Sequence, residues 1–216
     1  CAADLVALPL SACTTGRDAM AVARSASICL YTSAWEALVM VPKSKLEKVL
    51  KSKKFVFTCE VRSPREADFS AVQKEVEVLK EHFAAINATA FLAGRPSVSS
   101  IKTAEKLKLW GAEPIAQVTC RDHTKTSFIS ELLELHESGL HNLLCLTGDS
   151  YVGTPKIKQV WDMDSSLMLY EARHLRETGI VHYCDQKMKK NPKPFLGTAI
   201  NPFSTPVSVP IRRLKQ

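Results

Sequence analysis

From residue 55 onward the chain alternates short apolar runs with segments of helical period. The runs at 55–60 (FVFTCE), 86–91 (INATAF), 114–119 (PIAQVT), 142–147 (NLLCLT) and 195–200 (FLGTAI) are predicted strands. The first four begin roughly 28 residues apart, the spacing of βα units. After Asp68, Val72, Val76, Leu79 and Phe83 recur at steps of four, three and four, which lays one apolar stripe along a helix. Thr126 is the expected cap of a second helix, with Ile129, Leu132, Leu133 and His136 on one face and Gly139 as its stop. Ser165 and Ser166 open a third, with Leu169, Ala172 and Leu175 inward and Gly179 as terminator. Nearly continuous apolar strands in a β-α-β-α series predict a parallel sheet covered by helices.

A doubly wound sheet and a (β/α) barrel both satisfy that pattern. The eight glycines form neither a G-x-G-x-x-G turn nor a Gly-rich loop ending in Lys-Ser/Thr. Polar residues instead mark the strand ends: Glu60, Thr89, Thr119, Asp149 and Asn201 lie at or just past the C-termini of runs, where a (β/α) barrel assembles its active site. The fold expected is therefore α/β, a TIM-type barrel with its first five βα units in 44–216. Residues 1–43, rich in Ala, Ser and Thr, are read as an N-terminal extension: a poorly ordered stretch, an appended helix or a weak targeting remnant, outside the site. The sequence ends in the helix expected after the fifth strand, so a second chain completing the barrel, or a further copy of this one, is an expected partner.

Composition narrows the classes. With 216 residues, 45% hydrophobic and 24% charged, the chain is large enough for one sizeable core. Apolar stretches break within about ten residues, short of the roughly 20 needed for a membrane span. Of the net +7, nearly all falls in 184–216, where five lysines and two arginines oppose Asp185 alone. Without aromatic interleaving or a nucleic-acid motif, that stretch is a basic connector and helix end, which excludes nucleic acid as the expected partner. Seven dispersed cysteines without a C-x-x-C pair read as reduced thiols, with Cys59 and Cys145 as small core residues. A cytoplasmic location is expected, with an organelle matrix as alternative.

Glu60 ends an apolar run, so a barrel would hold its carboxyl between hydrophobic walls, where the neutral acid is favoured and a proton donor results. The competing role is a strand-end Glu paired with Arg62 or Arg65. Asp149 closes L-C-L-T-G-D, a loop in which Gly148 lets backbone approach a ligand, although Gly-Asp is also an ordinary turn. His136 and His141 flank a helix end and fit a charge–dipole role; His123 shows no partner in sequence, and no metal is expected.

The segments 57–68 (FTCEVRSPREAD), 113–123 (EPIAQVTCRDH), 139–149 (GLHNLLCLTGD), 160–165 (VWDMDS) and 195–203 (FLGTAINPF), in this order, resemble methylenetetrahydrofolate reductases. The resemblance implies an FAD enzyme that takes electrons from NADH or NADPH and reduces 5,10-methylenetetrahydrofolate to 5-methyltetrahydrofolate. It implies that Glu60 is the catalytic acid and that Asp149 tunes the flavin and positions the folate. Flavin contacts are implied for Thr89, Gln117, Leu146, Thr147, Gly148, Asp149, Ala199 and Asn201. The chain carries Ser63-Pro64 where relatives have paired prolines, Gln117 for a common His, Thr147 for a common Arg and Asn201 for Tyr. A non-catalytic, barrel-derived scaffold within a larger complex is the alternative.

Overall fold

The computed structural model describes residues 5–9, 28–32, 44–52, 55–91, 94–151, 157–201, 205–206 and 208–214. In chain order the elements are β1 (Leu5–Pro9), β2 (Ile28–Thr32), α1 (Lys45–Lys51), β3 (Thr58–Val61), α2 (Ser70–Leu79), β4 (Ala85–Ala88) and α3 (Ser100–Leu109). Then follow β5 (Pro114–Thr119), α4 (Lys125–Glu137), β6 (Asn142–Leu146), α5 (Ser165–Thr178), β7 (Ile180–Val181), β8 (Gln186–Lys187), β9 (Phe195–Ile200) and α6 (Ser208–Leu214).

The sheet runs β1-β2-β9-β6-β5-β4-β3. Its five strands β3, β4, β5, β6 and β9 are parallel neighbours in βα order, as the repeat predicts. The two strands at 114–119 and 195–200 have the predicted bounds; β3 starts three residues later than its apolar run, and β4 and β6 stop short of theirs. The fold is thus α/β with a five-stranded parallel sheet of the kind a (β/α) barrel contains, and among the described residues no pairing joins β3 to β1.

The first 43 residues hold an element the sequence did not announce. β1 and β2 form an antiparallel hairpin, and β2 continues antiparallel onto β9, with Cys29 opposite Ala199. A parallel sheet edge exposes unpaired N–H and C=O groups, and this hairpin satisfies those of β9.

Two clusters divide the strand positions by face. Cys59, Val61, Ile86, Ala88, Ala116, Val118, Leu143, Cys145 and Leu196 point toward the helices and meet Val72, Val76, Ile101, Leu107, Phe128, Leu132, Met168 and Leu175. The alternate residues Val56, Ala85, Ile115, Leu144 and Phe195 point to the opposite, inner face, where Leu46 and Leu50 of α1 cover them. Helix α1 is fixed there by its cap: the Ser44 hydroxyl accepts from Glu47 N at 3.0 Å and donates to Asn142 Oδ1 at 2.7 Å. Asn142 Nδ2 in turn donates to Glu113 Oε1 and Pro114 O at 2.8 and 2.9 Å, tying the start of β6 to β5.

Local signals set the helix ends, with two corrections. The cap of α4 is Thr124, whose hydroxyl accepts from Ser127 N, and not Thr126. The helix starts two residues earlier than expected, a little over half a turn, and Phe128, Ile129, Leu132 and Leu135 are buried while His136 is exposed in the last turn. Asp164 caps α5, whose buried apolar side chains are Met168, Ala172 and Leu175 beside the buried Ser165 and Glu171, with Leu169 only partly covered. Gly179 ends α5 at φ +71°, a left-handed conformation that costs glycine little.

Candidate active site

The inner face changes character along the strands. Above the apolar layer, alternation brings Glu60 of β3, Asn87 and Thr89 of β4 and its end, and Gln117 and Thr119 of β5 to the same side near the strand C-termini. Glu60 is half-buried, and its Oε2 accepts from Gln117 Nε2 at 3.4 Å, across the intervening β4. Arg62 and Arg65, the alternative partners, are exposed. Among the described residues no cation forms a salt bridge with the Glu60 carboxyl, which pairs with an amide instead.

Thr89 is buried and engaged: its Oγ1 accepts from Ser63 N at 3.2 Å, and its carbonyl accepts from Ser63 Oγ at 2.7 Å. The Thr103 hydroxyl donates to Ser63 Oγ at 2.9 Å, so Ser63 locks the β3 loop onto β4 and α3. A proline at 63 would lack both the N–H and the hydroxyl of this junction.

The loop after β6 is organised from one side. Arg121, in the short 3-10 turn Cys120–Asp122, is buried although charged. Its Nη1 donates to Asp149 O at 2.8 Å, its Nη2 to Phe91 O, and its Nε to Asp122 Oδ2 at 3.1 Å. Tyr151 lies over the guanidinium at 4.4 Å and donates to Asp122 Oδ1. Asp122 also accepts from the Thr119 hydroxyl at 2.5 Å. One buried cation therefore spans the loops after β4, β5 and β6, and its partners meet the cost of burying charge.

Gly148 has φ +82°, and a Cβ there would lie 2.9 Å from Arg121 Cδ. The glycine is needed for the side chain behind it as well as for its own conformation. Thr147 bonds Ser165 Oγ at 3.0 Å through its hydroxyl, while its carbonyl accepts from Cys120 Sγ at 3.0 Å. Burial, reinforced by Asp164, pushes the Cys120 thiol up to about 11, and burial also raises that of Cys145, so both are protonated core thiols. Leu146 and Ala199 border the inner apolar cluster, whereas Asp149 and Asn201 are exposed at the strand ends. The structure thus brings Glu60, Thr89 and Gln117 together on one face and sets Leu146 through Asp149 on the neighbouring loop.

Sequence reasoning did not single out Arg121, Asp122, Tyr151 or Asn87; the first two stood within T-C-R-D-H without a visible partner. His123 does have partners: Nδ1 lies 2.8 Å from Thr119 O and Nε2 3.5 Å from Glu131 Oε1. Beside Arg121 opens a cavity of about 350 Å³ lined by Phe91, Arg95, Asp122, Tyr151, Lys158 and Val160 among others. Neither Glu60 nor Gln117 lines it. Its aromatic walls and basic rim suit part of an anionic, planar ligand. Among the described residues no group of three His, Cys, Asp or Glu side chains is placed to hold a metal ion, and no helix is long and apolar enough to cross a membrane.

A parallel βα sheet with a carboxyl and polar side chains gathered at its strand C-termini defines an α/β protein whose site lies where barrel enzymes place theirs. The sequence profile described as methylenetetrahydrofolate reductase matches residues 45–185, from α1 to the turn after β7, well over half the chain. The chain belongs to the methylenetetrahydrofolate reductase family. A comparison with curated proteins finds no match.

Proposed function

We propose that this chain works in the flavin-dependent reduction of 5,10-methylenetetrahydrofolate to 5-methyltetrahydrofolate, with NADH or NADPH as electron source. The observation that carries this reading is the Glu60–Gln117 pair on the inner face, a half-buried carboxyl held by an amide at the mouth of a family sheet. FAD, when bound, would supply hydride to the methylene carbon of the folate. The residues present suit such a group: the Leu146–Thr147–Gly148–Asp149 loop offers backbone beside the strand ends, with Thr89, Gln117, Ala199 and Asn201 on the neighbouring strand ends.

The chain's own work is positioning and proton transfer. Glu60 in its acid form donates the proton from its carboxyl oxygen to the ring nitrogen of the folate as the imidazolidine C–N bond opens, leaving a carboxylate that accepts from Gln117. Solvent then returns the proton. Asp149 sets a negative charge near the flavin ring and the folate, held in place through its carbonyl by Arg121.

The test separates two half-reactions. Glu60→Gln keeps the flavin spectrum and its bleaching by NADH or NADPH, and slows reoxidation by methylenetetrahydrofolate by about 10²–10⁴. Equal loss in both half-reactions would remove Glu60 from the proton-donor role. A second reading, a barrel-derived scaffold, is favoured by the antiparallel β2 on β9, because a barrel sets a parallel strand on that edge. Purified full chain that carries no flavin and takes none up would decide for it.

A further inference from the structure

The buried amide of Asn87 has a job left open by the contacts around it. Asn87 is 1% exposed and lies on the inner face of β4. Its Nδ2 donates to Cys59 O at 3.1 Å. Because a carbonyl can only accept, that bond fixes which end of the amide is nitrogen, and the other end is the acceptor. Yet Asn87 Oδ1 is buried without a donor. A buried side-chain carbonyl left without a donor is rare in a folded protein, and this one is free to accept from a group that carries a proton only part of the time.

Register identifies that partner. Glu60 and Asn87 are directly paired across the parallel β3 and β4, both on the inner face, with strands about 4.8 Å apart. Gln117 reaches Glu60 over β4 from the far side. The inner-face neighbours of Glu60 on the strands packed beside it are Asn87, Thr89, Gln117 and Thr119, none of them charged. A carboxylate at 60 is served by the Gln117 N–H. The protonated carboxyl has an O–H to donate, and the vacant acceptor beside it is Asn87 Oδ1.

We infer that Asn87 is a positioning residue for Glu60: its side-chain carbonyl accepts the O–H of the protonated Glu60 carboxyl and holds the proton ready between turnovers. This rests on the proton-donor reading of Glu60 above. The two amides then divide the cycle, with Gln117 receiving the carboxylate and Asn87 the acid. On proton transfer to substrate the O–H to Asn87 breaks, and reprotonation from water restores it.

Isotope-edited infrared spectra of the full chain, with ¹³C-labelled Glu carboxyls, test this without flavin or turnover. As pH is lowered, an acid C=O band assigned to Glu60 by its loss in Glu60→Gln is expected. In Asn87→Leu that band moves to higher frequency because the acid has lost its acceptor, and in Asn87→Ser, which retains an acceptor oxygen, it moves back toward the original position. A band in the same place in Asn87→Leu overturns the inference. Should the leucine variant fail to fold, the wild-type chain and Glu60→Gln answer without it: the Asn87 side-chain carbonyl ¹³C resonance shifts with pH in step with the Glu60 band, and that shift vanishes in Glu60→Gln. A resonance that does not follow Glu60 overturns the inference too. The outcome is independent of whether flavin binds, so a chain without flavin fails the functional reading while this test still returns its own answer.

Discussion

The two ends of the same strands do opposite work. At their N-terminal ends the inner face is apolar, with Val56, Ala85, Ile115, Leu144 and Phe195 sealed by Leu46 and Leu50 of α1. At their C-terminal ends the same face carries Glu60, Asn87, Thr89, Gln117 and Thr119, and Arg121 spans the loops beyond. One end is a packed floor without unmet polar atoms in its side chains. Among the described residues, the other retains an orphaned carbonyl and a carboxyl paired to an amide and to no cation. Stability is invested in the floor, and chemistry is possible above it because the floor does not depend on those polar groups.

That division can be broken by substitution at each end. The largest effect on stability is expected at the floor: Leu144, fully buried, replaced by Ala should cost about 2–5 kcal/mol in urea unfolding. Glu60→Gln, by contrast, should leave the unfolding midpoint nearly unchanged. A comparable loss in both variants would mean that the upper layer also holds the fold.

Gly148→Ala is expected to fall between. A residue with a side chain at φ +82° is strained, and the new Cβ would press on an Arg121 whose guanidinium is fixed by three bonds, so about 1–3 kcal/mol is expected. The Arg121 Nε–H NMR resonance should shift at the same time if Arg121 is displaced from Asp122 and Tyr151. An unchanged midpoint would show that the loop yields and that Arg121 is not its anchor.

The smallest effect sharpens the boundary between the ends through pH. Burial opposes the charged form of His123, but its bonds to Glu131 and Thr119 O, together with Asp122, raise its titration above the usual 6.5. A histidine raised by folding stabilises fully below its unfolded value, and the contribution fades as pH climbs through the folded one. Stability measured from pH 6 upward should therefore decline more steeply in the wild type than in His123→Gln. Identical slopes would show that the Glu131 contact carries no linkage.

The hydrophobic pattern by itself determined the five parallel strands, their order, the three helices α2, α4 and α5, and the polar character of the strand ends. Each of those follows from local periodicity, since a period of two fixes which residues share a strand face and a period near 3.6 fixes a helix stripe. Glu60 and Thr89 were therefore visible as polar strand-end residues, whereas Gln117 was marked only by the family resemblance and joins them through its bond to Glu60. Tertiary structure alone decided the rest. Thr124 displaced Thr126 as the cap of α4, because both residues can cap and packing of Phe128 selects the phase. Arg121 reaches carbonyls 28 and 30 residues away, and no local spacing marks which loops a long side chain will join. The β1–β2 hairpin pairs with β9 across the whole sequence, and α1 seals a floor built from five separate strands. Asn87 read as one polar residue in an apolar strand. Only the register with Glu60 and the bond to Cys59 O turned it into an acceptor awaiting a proton.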